Sequence, residues 1–377
     1  MARLGDVIRP AKVVRCNDKQ YPILSMTMHD GIVLQSNRFK KSLASVDQSN
    51  YKVVNYGQLV IGFPIDEGVL YIQKVVEKGI ISSAYNVWDV NYEIVDPDYL
   101  EFCLHSPQSM QYYKENLRGT TARRRSIPTD TLLKLPIYLP SLDKQRKIAM
   151  ALNKVNNLIA KRQAQLDKLD LLVKARFVEM FGDPVSNSKG WKMGKAETHI
   201  DLLSGFPFDS TQYTENGINI CGGLIIMPQR INWYDCKHWK SVEGYEEYTL
   251  QENDIVMALD RPWISEGFKI AMVDKEHLPA LLIQRTARIR AVDINQRYLM
   301  YCFILGGFDR HCNVTGSLVP HISAKDIRSF LIMLPPVELQ NQFSDFVAQT
   351  EKIRISIRCS LEKLQMMKKA LMQEYFG

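Results

Sequence analysis

The stretch 139–182 recurs in the same register, 195 positions later, as 334–377. The first copy opens Leu139-Pro140-Ser141-Leu142-Asp143-Lys144-Gln145 and closes Lys174-Ala175-Arg176-Phe177-Val178-Glu179-Met180-Phe181-Gly182. The second opens Leu334-Pro335-Pro336-Val337-Glu338-Leu339-Gln340 and closes Lys369-Ala370-Leu371-Met372-Gln373-Glu374-Tyr375-Phe376-Gly377. Between these ends Leu166, Lys168 and Leu169 match Leu361, Lys363 and Leu364, so the correspondence runs through without a gap. Such a period is far longer than the roughly 20–50 residues of solenoid and propeller repeats, and it implies duplication of a whole domain.

Each copy reads as one long helix behind a proline stop. Leu135-Pro136-Ile137-Tyr138-Leu139-Pro140 alternates like a short strand, and its prolines bar a helix from running back through it. Ser141 and Asp143 offer capping and first-turn negative charge, and neither proline nor glycine follows until Gly182. Ile148, Leu152, Val155, Ile159, Leu166, Leu169 and Val173 recur in steps of four and three, interrupted at Arg162, which is a coiled-coil seam. In the second copy Phe346, Ile353, Ile357, Leu364, Met367 and Leu371 mark a similar stripe. The competing reading is a pair of core helices inside a larger domain.

Gly182-Asp183-Pro184 and the polar run to Gly190 then end the first helix with turn chemistry. The chain therefore divides into a head (1–138), a helix (139–182), a second head (183–333) and a second helix (334–377). The fold class expected is α+β: two globular heads separated by two long antiparallel coiled-coil helices in a pseudo-twofold repeat. The heads hold short β-like runs such as Gln58-Leu59-Val60-Ile61 and Asp254-Ile255-Val256-Met257. Tyr99-Leu100 and Tyr298-Leu299 are faint echoes between them. Helices alike and heads unlike is the pattern of a chain that binds one partner twice while its heads read different things.

At 377 residues the chain can bury more than one core. Its start lacks the apolar stretch of a signal peptide, and no apolar run is long enough to span a bilayer, so a cytoplasmic location is expected. Seven cysteines, never spaced Cys-x-x-Cys, indicate neither a disulfide framework nor a zinc ribbon. Cys236 with His238, and His311 with Cys312, are isolated pairs of the kind usual in ordinary packing, and no metal is expected. The net charge of +7 is compatible with nucleic acid, and most of it sits in the repeated segments.

Catalytic signatures are missing. The phosphate-cradling Gly-x-x-x-x-Gly-Lys-Ser/Thr loop, Gly-x-Ser-x-Gly and His-Glu-x-x-His do not occur. Pro97-Asp98 resembles the start of a nuclease carboxylate motif, but no Glu-x-Lys completes it, and methyltransferase motifs are likewise absent. A binder is expected, without a catalytic residue.

Candidate DNA contacts fall in both heads. Arg123-Arg124-Arg125 follows Gly119-Thr120-Thr121-Ala122, a combination suited to clamping phosphate, with a solvated basic turn as the alternative. Arg38, Lys40 and Lys41 form a weaker patch. In the second head, Asp260-Arg261-Pro262-Trp263 joins a guanidinium to a large ring, and Gln284-Arg285 and Arg288 lie further on. Arg261 and Gln284 carry the groups that suit guanine and adenine edges, whereas Trp263 suits core packing as well as a base wedge. The counterpart of the arginine cluster, Gly316-Ser317-Leu318-Val319-Pro320-His321-Ile322, has no arginine. Gly205-Phe206-Pro207-Phe208 reads as structural packing.

The arrangement resembles the specificity (S) subunit of a type I restriction-modification enzyme over essentially the whole chain. The residues that carry the resemblance are Leu139-Pro140-Ser141-Leu142-Asp143-Lys144-Gln145, Leu334-Pro335-Pro336-Val337-Glu338-Leu339-Gln340, both Phe-Gly endings, and Val319-Pro320-His321-Ile322-Ser323. The first copy departs from Leu-Pro-Pro-x-Glu-x-Gln at Ser141 and Asp143, keeping helix-start chemistry. The resemblance implies two target-recognition domains, each reading half of a split double-stranded DNA target, and antiparallel helices that dock two methyltransferase (M) subunits. Ile148, Leu152, Val155, Ile159, Leu166, Leu169, Ile353, Ile357 and Leu364 are the candidate partner-binding positions. It implies that S-adenosylmethionine, ATP and Mg belong to partner subunits, including two restriction/translocase (R) subunits, and that none is bound by this chain. Forty helical residues would span about 60 Å, enough to separate the heads by one DNA turn of roughly 34–36 Å. The reading from another class is a coiled-coil scaffolding protein whose heads bind proteins.

Overall fold

A computed structural model describes residues 2–17, 21–28, 30–38, 48–118, 125–312 and 320–377, without the side chains of 37 and 38. The protein is a mixture of helix and sheet in two compact units. The first comprises Met1–Ala164 with Arg358–Gly377, and the second Gln165–Ile357. Each unit thus takes in part of two 40-residue helices, Leu142–Phe181 and Val337–Phe376.

The first unit is organised around a four-stranded antiparallel sheet in the order Ile8–Pro10, Asn86–Val90, Leu59–Ile61, Leu70–Ile72. Leu59-Val60-Ile61 is a continuous apolar run because both of its faces are covered. Leu59 and Ile61 point into a core with helix Pro97–Leu104, while Val60 points into a smaller core with Leu24, Val54 and Ile81. That helix starts where Asp96 accepts the Tyr99 N–H at 3.0 Å and Pro97 takes the first helical position. Ala2–Arg3 pairs with Pro136–Ile137 and ties the beginning of the head to its end.

The second unit repeats this plan with different side chains. Its four-stranded antiparallel sheet runs Ile200–Ser204, Thr286–Ala291, Ile255–Ala258, Ile270–Met272, the same order by position along the chain. Ile255 and Met257 face one core, and Val256 and Ala258 face another. Helix Gln296–Leu305 stands in the place of Pro97–Leu104, capped by Asn295, which accepts the N–H groups of Arg297 and Tyr298. Met193–Lys195 pairs with Leu331–Met333 as the closing ribbon.

Head and helices share one core in each unit. In the first, Ile148, Ala149 and Leu152 from the start of one long helix pack with Met372 and Phe376 from the end of the other. Phe376 meets Tyr99 at a ring separation of 5.3 Å. In the second, Val173, Phe177 and Phe181 pack with Phe343 and Val347, and Phe181 meets Tyr298 at 4.8 Å. The two tyrosines serve alike: Tyr99 donates its hydroxyl to Tyr138 O, Tyr298 to Met333 O, and burial raises both phenols. Gln145 and Gln340, both fully buried, complete each junction by accepting the backbone N–H of Asp96 and of Asn295.

The apolar stripe of the second long helix matches the one read off the sequence in part: Ile357 is buried and Phe346, Leu364 and Leu371 are half-buried. Besides Gln340, Ser344, Met372 and Phe376, its buried positions are Phe343, Val347, Thr350, Arg354 and Ile357, whereas Ile353 and Met367 are exposed. Shifted by 195, that set coincides with Ile148, Leu152, Val155, Ile159 and Arg162 of the first copy. The polar residues Thr350 and Arg354 hide the seam. Arg354 is tolerated there because Asp170 accepts from its Nη1 and Glu351 lies 2.9 Å from its Nε.

Candidate nucleic-acid interface

Several polar groups of the second unit converge on one cavity of about 480 Å³. Arg261 reaches it from the turn after strand Ile255–Ala258, and Gln284 and Arg285 from the turn before strand Thr286–Ala291. These strands are neighbours in the sheet, so positions 24 residues apart in the chain share one rim. Arg261 and Arg285 both take left-handed backbone conformations, with φ of 44° and 65°. For residues with a Cβ this is a strained choice, and such strain concentrates at functional positions.

The chemistry around the rim is specific. Asp260 is bound by two side chains: Arg285 Nη1 donates to one carboxylate oxygen, and His321 Nδ1 lies 2.6 Å from the other. Burial works to raise the Asp260 carboxyl, but the hydrogen bonds and charges of His321 and Arg285 outweigh it and hold it below the usual carboxylate range. Arg261 anchors only its backbone, donating its N–H to Pro320 O at 3.0 Å; its guanidinium is exposed and makes no hydrogen bond among the described residues. Gln284 Oε1 is buried with no partner there either. Lys269 forms part of the wall, its amine donating to Gly223 O and its pKa lowered by burial. Leu224, almost fully exposed, stands at the edge.

Arg261, Gln284 and Arg285 are therefore brought together as one group, and Trp263 is not part of it. Trp263 stacks on Phe268 at 5.1 Å and lines a different cavity, with Tyr301 and Leu171. Phe206 and Phe208 form an aromatic cluster with Trp239, Tyr245 and Tyr248. Asp260, His321 and Lys269 were not singled out as site residues from sequence; the one available signal was the carboxylate directly preceding Arg261 in a turn.

In the first unit the only described member of the arginine cluster is Arg125. It is half-buried, its Nη1 bound to Asp66 at 2.5 Å and its Nη2 to Glu67. The Arg38 side chain, Lys40, Lys41, Arg123 and Arg124 lie outside the described residues. Asp66 occupies the turn after strand Leu59–Ile61, and Arg125 the segment leading to helix Thr129–Leu132. Asp260 and His321 hold the corresponding places, before helix Ala324–Ser329. Each head thus closes a carboxylate-to-cation clasp at the same point of its fold.

The long helices contribute a second kind of surface. Ile148, Leu152, Val155, Leu166 and Ile357 are buried within the chain, with Ile159, Leu169 and Leu364 partly covered and Ile353 exposed. Outside the seam, Leu171 and Leu172 are 66% and 49% exposed, and their repeat counterparts Met366 and Met367 are 64% and 53% exposed. An apolar pair left uncovered at the same place in both copies is a recurring property of the duplicated helix. Near each pair lies a cleft between head helix and long helix, of about 650 Å³ beside Leu171 and about 600 Å³ beside Lys368.

No group of three metal-ligating side chains occurs among the described residues. Cys236 Sγ donates to Asn219 Oδ1 and stands 3.7 Å from His238 Nε2. Among the described residues no helix is long and apolar enough to cross a membrane.

No family model matches the chain. It is 24% identical over 402 aligned positions to the type I restriction enzyme MjaVIII specificity subunit of Methanocaldococcus jannaschii, an alignment covering 99% of this chain and 90% of that one. The EcoAI specificity subunit of Escherichia coli is 31% identical over 195 residues, 49% of this chain and 33% of the relative. Among solved structures, the S subunit of the type I restriction-modification system of M. genitalium aligns with a TM-score of 0.60 at 11% identity, covering 100% of this chain and 95% of that one. A chain solved in work on complex assembly and conformational transition of the type I R-M system aligns at 0.50 and 16% identity, covering 100% and 96%. The duplicated helices, the twice-used head plan and the end-to-end sequence match agree: over its whole length the chain is similar to type I restriction enzyme specificity subunits.

Proposed function

We propose that this specificity subunit reads a split double-stranded DNA target, with head 1–138 on one half and head 183–333 on the other. The segments 139–182 and 334–377 pair as an antiparallel coiled coil that sets the unread gap and offers two seats for M subunits. The observation that carries this reading is the repeated junction. In both units the same buried glutamine, the same tyrosine and the same terminal phenylalanine of the long helix fasten the head to its helices.

The chemistry of the heads fits different half-sites. The second presents Arg261, Gln284 and Arg285 around one cavity, groups able to address guanine and adenine edges from the major groove. In the first, Arg38, Lys40, Lys41, Arg123 and Arg124 supply positive charge for phosphate, whereas Arg125 is taken up by Asp66 and Glu67. The uncovered pairs Leu171-Leu172 and Met366-Met367 suit two identical partners, because duplicated surfaces accept duplicated subunits. S-adenosylmethionine, ATP and Mg would be held by those partners and by R subunits, in the cytoplasm where the host DNA lies.

Replacing residues 183–333 by the corresponding segment of a relative tests the reading. In cells supplying the M subunit, methylome sequencing should show one half-site changed and the other retained. Both half-sites changing together, or neither, would overturn it.

A further inference from the structure

The clasp at Asp260 has a consequence for base recognition, and the inference rests on the proposal that the second head reads DNA. An arginine side chain in water samples many rotamers, so a guanidinium discriminates guanine only when something holds its fork at a fixed angle. Asp260 does this from behind. One carboxylate oxygen accepts from Arg285 Nη1, leaving Nη2 and Nε of that guanidinium without a partner among the described residues. The other oxygen faces His321 Nδ1 at 2.6 Å, which fixes the carboxylate itself. The backbone closes the frame: Arg261 donates to Pro320 O and Ile322 donates to Leu259 O at 2.8 Å.

Three features separate this from an ordinary surface ion pair. Asp260 is only 27% exposed, while Arg285 is 71% exposed, so the acid is held in the protein and the base is presented outward. Arg285 and its neighbour on the rim, Arg261, sit in left-handed backbone conformations that aim both side chains over one cavity. The first head puts its carboxylate in the same place, yet there Asp66 and Glu67 together bind the cation, leaving Arg125 with 25% exposure. The clasp is thus closed and structural in the first head, and open toward solvent in the second.

We propose that Asp260 is the positioning residue of base readout in the second head, holding Arg285 so that its free N–H groups meet a guanine edge of that half-site. A negative charge beside the DNA path weakens attraction to phosphate, so Asp260 favours discrimination at the expense of general affinity. The variants of choice are Asp260→Asn, Asp260→Glu and Arg285→Ala in the full chain with its M subunit. Each is read by methylome sequencing and by competition between duplexes with and without the methylated motif.

For Asp260→Asn the expected result is a guanine position relaxed in one half-site, with discrimination lower by about 5- to 100-fold. Affinity for the duplex lacking the motif should stay level or rise, and Asp260→Glu should restore part of the preference. A variant that failed to fold would instead lose methylation at both half-sites and affinity for both duplexes, and Asp260→Glu would then decide alone. Unchanged discrimination in a folded Asp260→Asn or Asp260→Glu variant, while Arg285→Ala relaxes the half-site, overturns the positioning role only. Unchanged half-sites in Arg285→Ala and in Arg261→Ala together would remove the DNA-reading assignment of this cavity as well.

Discussion

Gln340 accepts the backbone N–H of Asn295 at 2.8 Å, and 195 positions earlier Gln145 does the same for Asp96 at 2.9 Å. Each amide also donates, Gln340 to Pro335 O at 2.8 Å and Gln145 to Pro140 O at 2.7 Å. One buried side chain thus joins the proline stop, the start of the long helix and the cap of the head helix. Replacement by leucine fills the space and satisfies none of these groups. Gln145→Leu and Gln340→Leu should each lower stability by about 2–4 kcal/mol, measured by denaturant unfolding. Hydrogen exchange should show protection lost first in helix Pro97–Leu104 for the former and in Gln296–Leu305 for the latter.

The buried arginine of the second long helix gives opposite signs for its two partners. Arg354 is 2% exposed and pairs with Asp170, which is half-exposed. Arg354→Met removes the buried charge together with its need for a partner and should change stability little, or raise it. Asp170→Ala leaves that charge with Glu351 alone and should cost about 1–2 kcal/mol by thermal or denaturant unfolding.

The Asp260 clasp also makes a pH prediction. Its carboxyl is held below the usual carboxylate range, so the folded state binds this proton less readily than the unfolded chain. The stability it contributes is present above the ordinary carboxylate value of about 4 and is lost as pH falls through the lower folded value. The stability gap between wild type and Asp260→Asn should therefore shrink below about pH 4.

Charging the uncovered pairs should affect assembly and leave folding intact. Leu171→Glu and Met366→Glu alter exposed positions, so each should shift stability by no more than about 0.5 kcal/mol. Native mass spectrometry of the assembled complex should show one M subunit in place of two for either variant, and none for the double variant.

The long helices were legible because the sequence carries their punctuation. Pro140, Pro335 and the two Phe-Gly endings bracket spans that fold as Leu142–Phe181 and Val337–Phe376. The second seam was legible only in part because Thr350 and Arg354 occupy it, and a hydropathy pattern has no means of showing that Asp170, on another element, compensates the buried charge. Arg125 read as a free cation for the same reason, since Asp66 and Glu67 lie far away in the chain and meet it only in the fold. Gln145 and Gln340 were visible as matched letters of a repeat, but nothing local marks a glutamine as a buried cap. The rim residues Arg261, Gln284 and Arg285 stand out in the sequence by their chemistry, and their convergence depends on the pairing of strands Ile255–Ala258 and Thr286–Ala291.

In the proposed function, the two long helices pair and set the distance between two readers. Adding one heptad to each helix at repeat-equivalent positions keeps the seam in phase and lengthens each by about 10 Å, or about three base pairs of rise. Methylome sequencing of cells carrying that variant and the M subunit should show both half-sites retained and the unread gap between them widened by about that amount. An unchanged gap with both half-sites still methylated would contradict the account.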